Sequence, residues 1–273
     1  MGAAKNNPTA ITSKGHGRFD ASYQADAEQD RGLHHAIAFE RITGWPVHAT
    51  YVGDEAIRFH NEDGSHWTFD VRGMMTATQH SEAVTQPIVL ARRDWPRSAA
   101  NADGYLEIGC ICLGVEGVFA CGIAVDAGKL AQATTTITAN AAYLALVPTR
   151  PYPRYPASAL HRYAFGKCVV FADALATVRG LPAMTMLPEA IADWAHIKPD
   201  QMQHAVVAHP DGDLEDVWGK VPAAMIARRY GITAWRLSAD AHQAMMADGI
   251  AERPEVLDEV AEAERLIRAH LQA

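Results

Sequence analysis

Four cysteines in 273 residues are too few for a disulfide scaffold, and three of them, Cys110, Cys112 and Cys121, stand in one apolar, glycine-rich stretch. A reducing, cytoplasmic setting is therefore expected. No run is long and apolar enough to cross a bilayer, and the N-terminal segment MGAAKNNPTAITSKGHGRFD holds no apolar core of the kind a secretory signal needs. Asn6 stands where a myristoylated N-terminus requires Ser or Thr, so no membrane partner is expected. Positive charge is also scarce: 24 Lys and Arg against 32 Asp and Glu leave a formal net charge of -8. No Lys/Arg cluster offers the counterion-releasing surface that nucleic acids demand, which excludes nucleic acid as an expected partner. What is abundant is apolar: 49% hydrophobic residues against 21% charged is the balance of a globular chain with one large or two modest cores.

Residues 1–27 are polar and lack a hydrophobic period, which predicts a flexible N-terminal tail. Prolines at 148, 151, 153 and 156 prevent helix and central strand, so residues 148–157 are expected to form a stiff connector between domains 28–147 and 158–273.

The two domains share a pattern. Gly44-Trp45-Pro46 ends a helical period through Leu33, Ala36, Ile37, Phe39 and Ile42; Gly180-Leu181-Pro182 ends another through Val169, Ala172, Leu175, Ala176 and Val178. Each Gly suits a helix terminus and each Pro stops the helix after it. Apolar stretches follow (Val47 to Val52; Ala183 to Leu187). Asp-Gly hairpin turns come next, at Asp63-Gly64 and Asp211-Gly212, each leading to an Asp-bearing strand, Phe69-Asp70-Val71 and Glu215-Asp216-Val217-Trp218. The chain reads as two diverged copies of one helix, strand and hairpin unit.

The second copy carries a nucleophile, a base and an acid in order. A thiol attacks as thiolate, and a helix N-terminus favours that form through its aligned peptide dipoles and free N–H groups. Cys168 falls in the first turn of the helix that runs to Val178, with Lys167 expected to add positive charge and the Cys168 N–H placed to stabilise an oxyanion. His204 opens the strand that enters the Asp211-Gly212 turn, and the returning strand brings Asp216 or Trp218 across from it. Asp216 is the expected partner; Asp213, the fallback, sits too close to the turn.

Residues 166–219, with Gly166-Lys167-Cys168, Gly180-Leu181-Pro182, His204-Ala205-Val206-Val207 and Pro210-Asp211-Gly212-Asp213-Leu214-Glu215-Asp216-Val217-Trp218-Gly219, resemble the compact papain-like and transglutaminase-like domains of bacterial, plasmid and phage proteins. The resemblance implies an α+β fold of two diverged papain-like units, each a helix plus antiparallel sheet, with extra helices at the C-terminus. It implies a cysteine-dependent amide hydrolase or acyl transferase, whether peptidase, deamidase or transglutaminase-like, with Cys168 as nucleophile, His204 as base and Asp216 orienting the imidazole. A protein or peptide is the expected substrate or partner, and no cofactor is expected. The alternative is a non-catalytic papain-like effector that binds a macromolecule.

The first copy lacks this chemistry. Aligned on Gly44 and Gly180, Gly32 stands where Cys168 does, and Arg58 precedes Asp70 by the spacing that separates His204 from Asp216; anchoring on the Asp-Gly turn gives Ala56 instead. A degenerate copy is expected. No metal site is expected: adjacent His34 and His35, with His48 later, could suggest one, but neighbours on a helix point about 100° apart and do not easily share an ion, and the partial soft-metal pattern Cys110-Ile111-Cys112 with Cys121 lies in the run Leu106 to Val125, which reads as buried strands. The Thr/Ala run 131–146 fits helix or strand. Helices are expected over Pro222 to Tyr230, from Ser238 toward Gly249, and from Pro254 to Leu271, the last with an acidic face turned to solvent.

Overall fold

The computed structural model describes residues 18–64, 67–92, 95, 106, 108–151, 154–164, 166–192 and 198–271. The protein is α+β, with two antiparallel five-stranded sheets, one in each of two compact units that divide between Arg150 and Pro151. No helix among the described residues is long and apolar enough to cross a membrane.

In the first unit the expected tail ends early. The Asp20 carboxylate accepts the Tyr23 N–H and caps helix α1 (Ala21–Glu28), whose Tyr23 and Ala27 are buried; residues 1–17 lie outside the described chain. Helix α2 (Leu33–Thr43) stops at Gly44, where φ of +80° requires glycine and the Gly44 N–H donates to the Glu40 carbonyl. A meander follows: β1 (Val47–Val52), β2 (Glu55–Glu62), β3 (Trp67–Asp70) and β4 (Gly73–Thr76). A Thr76/Gln79 capping box opens α3 (Ala77–His80, continued through a π-helical turn over Ser81–Thr85 into Gln86–Ala91). The chain then returns as β5 (Ile108–Cys112) beside β1, giving the order β4-β3-β2-β1-β5. Leu33, Ala36 and Ile37 of α2 pack on Val47, Ala49 and Phe59 to form the core.

The apolar run 106–125 departs from its expected buried strands. Among its described residues the strand is β5, which lies at a sheet edge and is largely exposed, and α4 (Gly114–Ala120) follows. The Thr/Ala run is helical, as α5 (Ala127–Ala139), capped by Asp126, and α6 (Ala141–Leu144).

The second unit contains α7 (Ala157–Ala164), α8 (Cys168–Arg179), β6 (Ala183–Ile191), β7 (His204–Ala208), β8 (Asp213–Asp216), β9 (Gly219–Pro222), α9 (Ala223–Arg229), β10 (Ile232–Ser238), α10 (Ala239–Glu252) and α11 (Val256–Leu271). Its sheet order is β9-β8-β7-β6-β10. Side chains alternate across β7: Ala205 packs with Cys168 and Ala172 of α8, while Val206 joins Met186, Leu214, Val221, Ile226 and Tyr230 beneath α9. Helix α11 buries Val256, Val260, Ala263 and Ile267 and packs along α8. Its acidic face is only partly solvated, since Glu259 and Glu262 pair with Lys167 and Arg162.

The two units follow one chain trace: helix, four-stranded meander, helix, then a fifth strand laid antiparallel beside the first. Their registers agree residue by residue. Val47↔Asn61, His48↔His60 and Thr50↔Arg58 in one sheet match Ala183↔Val207, Met184↔Val206 and Met186↔His204 in the other. Glu62↔Thr68 and Asp70↔Gly73 match Ala208↔Leu214 and Asp216↔Gly219, and Thr50↔Cys110 matches Met186↔Leu237. Position-for-position comparison of the units rests on these pairs.

Candidate functional site

Cys168 is the first residue of α8, following Gly166, whose φ of +76° turns the chain into the helix. At this position the thiol meets free N–H groups and the positive end of the helix dipole. Cys168 packs with Ala205, the neighbour of His204, and the His204 side chain with the Ala205 and Val169 N–H groups favours the charged form of the thiol. Lys167, expected to supply charge beside the thiol, is instead paired with Glu259 at 2.7 Å.

His204 is held from three sides. Its Nε2 lies 3.0 Å from Asp216 Oδ2, which leaves Nδ1 as the ring nitrogen for the thiol. The Tyr230 ring lies over the imidazole with centroids 4.1 Å apart, and the Tyr230 hydroxyl donates to the Ala164 carbonyl at 3.1 Å. The Val207↔Glu215 register, continued outward, sets His204 across from Trp218. Asp216, two residues back on the same face, therefore reaches the imidazole diagonally. Asp213 lies toward the turn, where Lys220 Nζ is 3.8 Å away.

Asp216 is fixed in turn. Its Oδ1 accepts the Trp218 N–H at 2.8 Å and lies 3.4 Å from Arg229 Nη1, while the Arg229 guanidinium stands 5.4 Å from the Trp218 ring centroid. Burial alone would raise this carboxyl; the bond to His204 and the charge of Arg229 outweigh it and hold Asp216 below its ordinary range. Burial likewise opposes the His204 cation, yet the Asp216 and Cys168 bonds raise the imidazole to about 9. Burial would also raise the Cys168 thiol, and the His204 bond and charge with the two N–H groups bring it below its usual value. Both shifts act in one direction, favouring the charged thiol and imidazole over their isolated forms.

No protein family model, no curated protein and no solved structure matches this chain. The chemistry is therefore read from the site itself. A thiolate at a helix N-terminus, a positioned imidazole and a buried carboxylate are the parts of nucleophilic acyl transfer. Sequence reasoning missed Tyr230 and Arg229, which support His204 and Asp216; their signal was an aromatic and a cation closing the helix just before Gly231.

In the first unit the same three positions hold Gly32, Arg58 and Asp70. Arg58 Nη2 lies 3.0 Å from Asp70 Oδ2, and the Arg72 N–H donates to Asp70 Oδ1 at 2.7 Å, as Trp218 does to Asp216. Arg58 is fully buried and also binds Glu28 at 2.5 Å. The nucleophile position is closed, because a Cβ on Gly32 would stand 2.8 Å from the Phe59 carbonyl oxygen at a φ of +81°.

Of the histidines considered for metal binding, His34 and His35 are otherwise engaged. His34 pairs with Asp30 and accepts the Asp126 N–H at 2.8 Å; His35 is hydrogen-bonded to the Tyr23 hydroxyl at 3.0 Å. Among the described residues the group able to hold a metal is instead His60, Glu62 and Cys110.

Proposed function

We propose that the second unit is a papain-like or transglutaminase-like cysteine enzyme that cleaves or transfers an amide of a protein or peptide, and that the first is a papain-like unit without catalytic residues. The observation that carries the reading is the placement of Cys168 at the start of α8, packed against Ala205 next to His204, whose imidazole is hydrogen-bonded to buried Asp216 at 3.0 Å; the lowered thiol and raised imidazole support it.

The steps follow from the proton positions. The Cys168 thiolate attacks the amide carbon and an S–C bond forms; the oxyanion meets the N–H groups at the start of α8. The C–N bond breaks as imidazolium His204 gives its proton to the leaving nitrogen. Water, or an acceptor amine in a transferase, then attacks the thioester, His204 takes its proton, and the thiolate is released. Asp216 stabilises the imidazolium throughout and Tyr230 limits its rotation.

One observation favours the non-catalytic alternative: only 8% of Cys168 is exposed. Iodoacetamide labelling separates the two readings. Near pH 6, Cys168 of the proposed enzyme reacts at least tenfold faster than a free small-molecule thiol, which is almost wholly protonated there, and His204→Ala removes the advantage. Labelling no faster than that of the free thiol in the wild type contradicts catalysis.

A further inference from the structure

We propose that His60, Glu62 and Cys110 of the first unit, with His48 adjoining Glu62, bind a divalent transition-metal ion of the zinc class. The residues converge on one face of the sheet from three adjacent strands, His48 on β1, His60 and Glu62 on β2, and Cys110 on β5. His60 Nε2 lies 3.8 Å from Cys110 Sγ, Glu62 Oε1 3.7 Å from the same sulfur, and His48 Nε2 3.8 Å from Glu62 Oε2. Ligands at roughly 2.0–2.3 Å from a tetrahedral ion stand about 3.3–3.8 Å from one another. The closest pair, His60 Nε2 and Glu62 Oε1 at 2.8 Å, shares a proton that an ion would displace.

His48 adjoins the group: its Nδ1 donates to the Pro46 carbonyl at 3.1 Å, which turns Nε2 toward the Glu62 carboxylate, 3.8 Å away. Imidazole, carboxylate and thiol together are the donor set of zinc, not of calcium or magnesium.

The second unit provides an internal control. The shared register equates His48, His60, Glu62 and Cys110 with Met184, Val206, Ala208 and Leu237, all of which belong to or pack on its apolar core. The same sheet face that closes over hydrocarbon in one unit thus carries the three proposed ligands and His48 in the other. A polar cluster at such a position is costly unless its groups are satisfied.

Binding is a balanced exchange. Cys110 loses its S–H proton to solvent as the S–metal bond forms, and His60 stays neutral by carrying its proton on Nδ1. A divalent ion reverses the local negative charge that Glu62 sets beside the thiol.

The test titrates the full chain with Co²⁺ and then competes it with Zn²⁺. The expected result is one Co²⁺ per chain with a thiolate-to-cobalt charge-transfer band that Zn²⁺ abolishes. Cys110→Ser, a near-isosteric change on an exposed strand, removes the band and weakens Zn²⁺ binding at least tenfold. Cys168→Ser retains the band, which separates this site from the thiol of the second unit. Absence of the band in the wild type, or its survival in Cys110→Ser, overturns the proposal.

Discussion

Asp216 is a buried carboxylate set between His204 and Arg229. It is 3% exposed, its Oδ2 faces the imidazole, and its Oδ1 is taken by the Trp218 N–H. Asp216→Asn keeps the shape and removes the charge, so the imidazolium loses its principal support and the thiolate loses its counter-ion. Alkylation of Cys168 near pH 6 is then expected to slow at least tenfold, and its rate against pH to move toward that of an ordinary thiol; an unchanged profile would remove Asp216 from the series. Arg58, its counterpart's partner, answers a different question. It joins Asp70 and Glu28 with no exposed side-chain surface. Arg58→Ala leaves the buried Asp70 charge with less compensation and is expected to cost about 3–5 kcal/mol, the usual penalty for removing one member of a buried pair. Urea denaturation measures it.

Helices α2 and α8 occupy equivalent places in their units, and their first turns explain why only one can carry a nucleophile. Ahead of α8, Gly166 makes the left-handed turn and Cys168 has room. Ahead of α2, Gly32 itself makes that turn, against the Phe59 carbonyl. Gly32→Ala therefore meets both a steric clash and an unfavourable φ, and is expected to lower stability by about 1–3 kcal/mol in thermal or urea denaturation; a neutral result would mean that the turn relaxes freely. Much of this was legible in the sequence because it is local. Gly44 and Gly180 mark helix ends, the Asp-Gly pairs mark hairpins, and Cys168 heads a periodic apolar run. The fifth strands were not legible, since β5 and β10 pair with β1 and β6 only after a helix has intervened, and nothing in residues 108–112 names a partner. The buried run expected around Cys110 proved to be an exposed edge for the same reason. The His48, His60, Glu62 and Cys110 cluster was missed because its members come from three strands with no short motif. Its one sequence signal, His60 and Glu62 alternating onto one strand face, acquires meaning only when β1 and β5 are laid beside it.

The units also differ in how their histidines are held, and this sets the response of the whole molecule to acid. In the first unit burial lowers His35 to about 3 and His60 to about 4. Unfolding restores an ordinary value near 6.5, so between these values the unfolded chain binds more protons. Stability from these groups is complete above about pH 6.5 and falls as the pH drops; for His35 the loss at pH 5 is about 2 kcal/mol. In the second unit the sign is opposite, because His204 is raised to about 9 by Asp216 and Cys168 after the opposing effect of burial. Its contribution is complete below about pH 6.5 and is lost as the pH rises through 9. Asp70 and Asp216 are both lowered against burial by their partners, so they shift the two units in the same direction. Glu62 of the first unit is held low as well, so it acts with His35 and His60 to make that unit the first to lose stability in acid. As the pH falls from 7 toward 4, hydrogen exchange read by mass spectrometry should show peptides from α2 and β2 losing protection at a higher pH than peptides from α8 and β7. Simultaneous loss in both units, or earlier loss around His204, would show that the buried neutral histidines do not control acid stability.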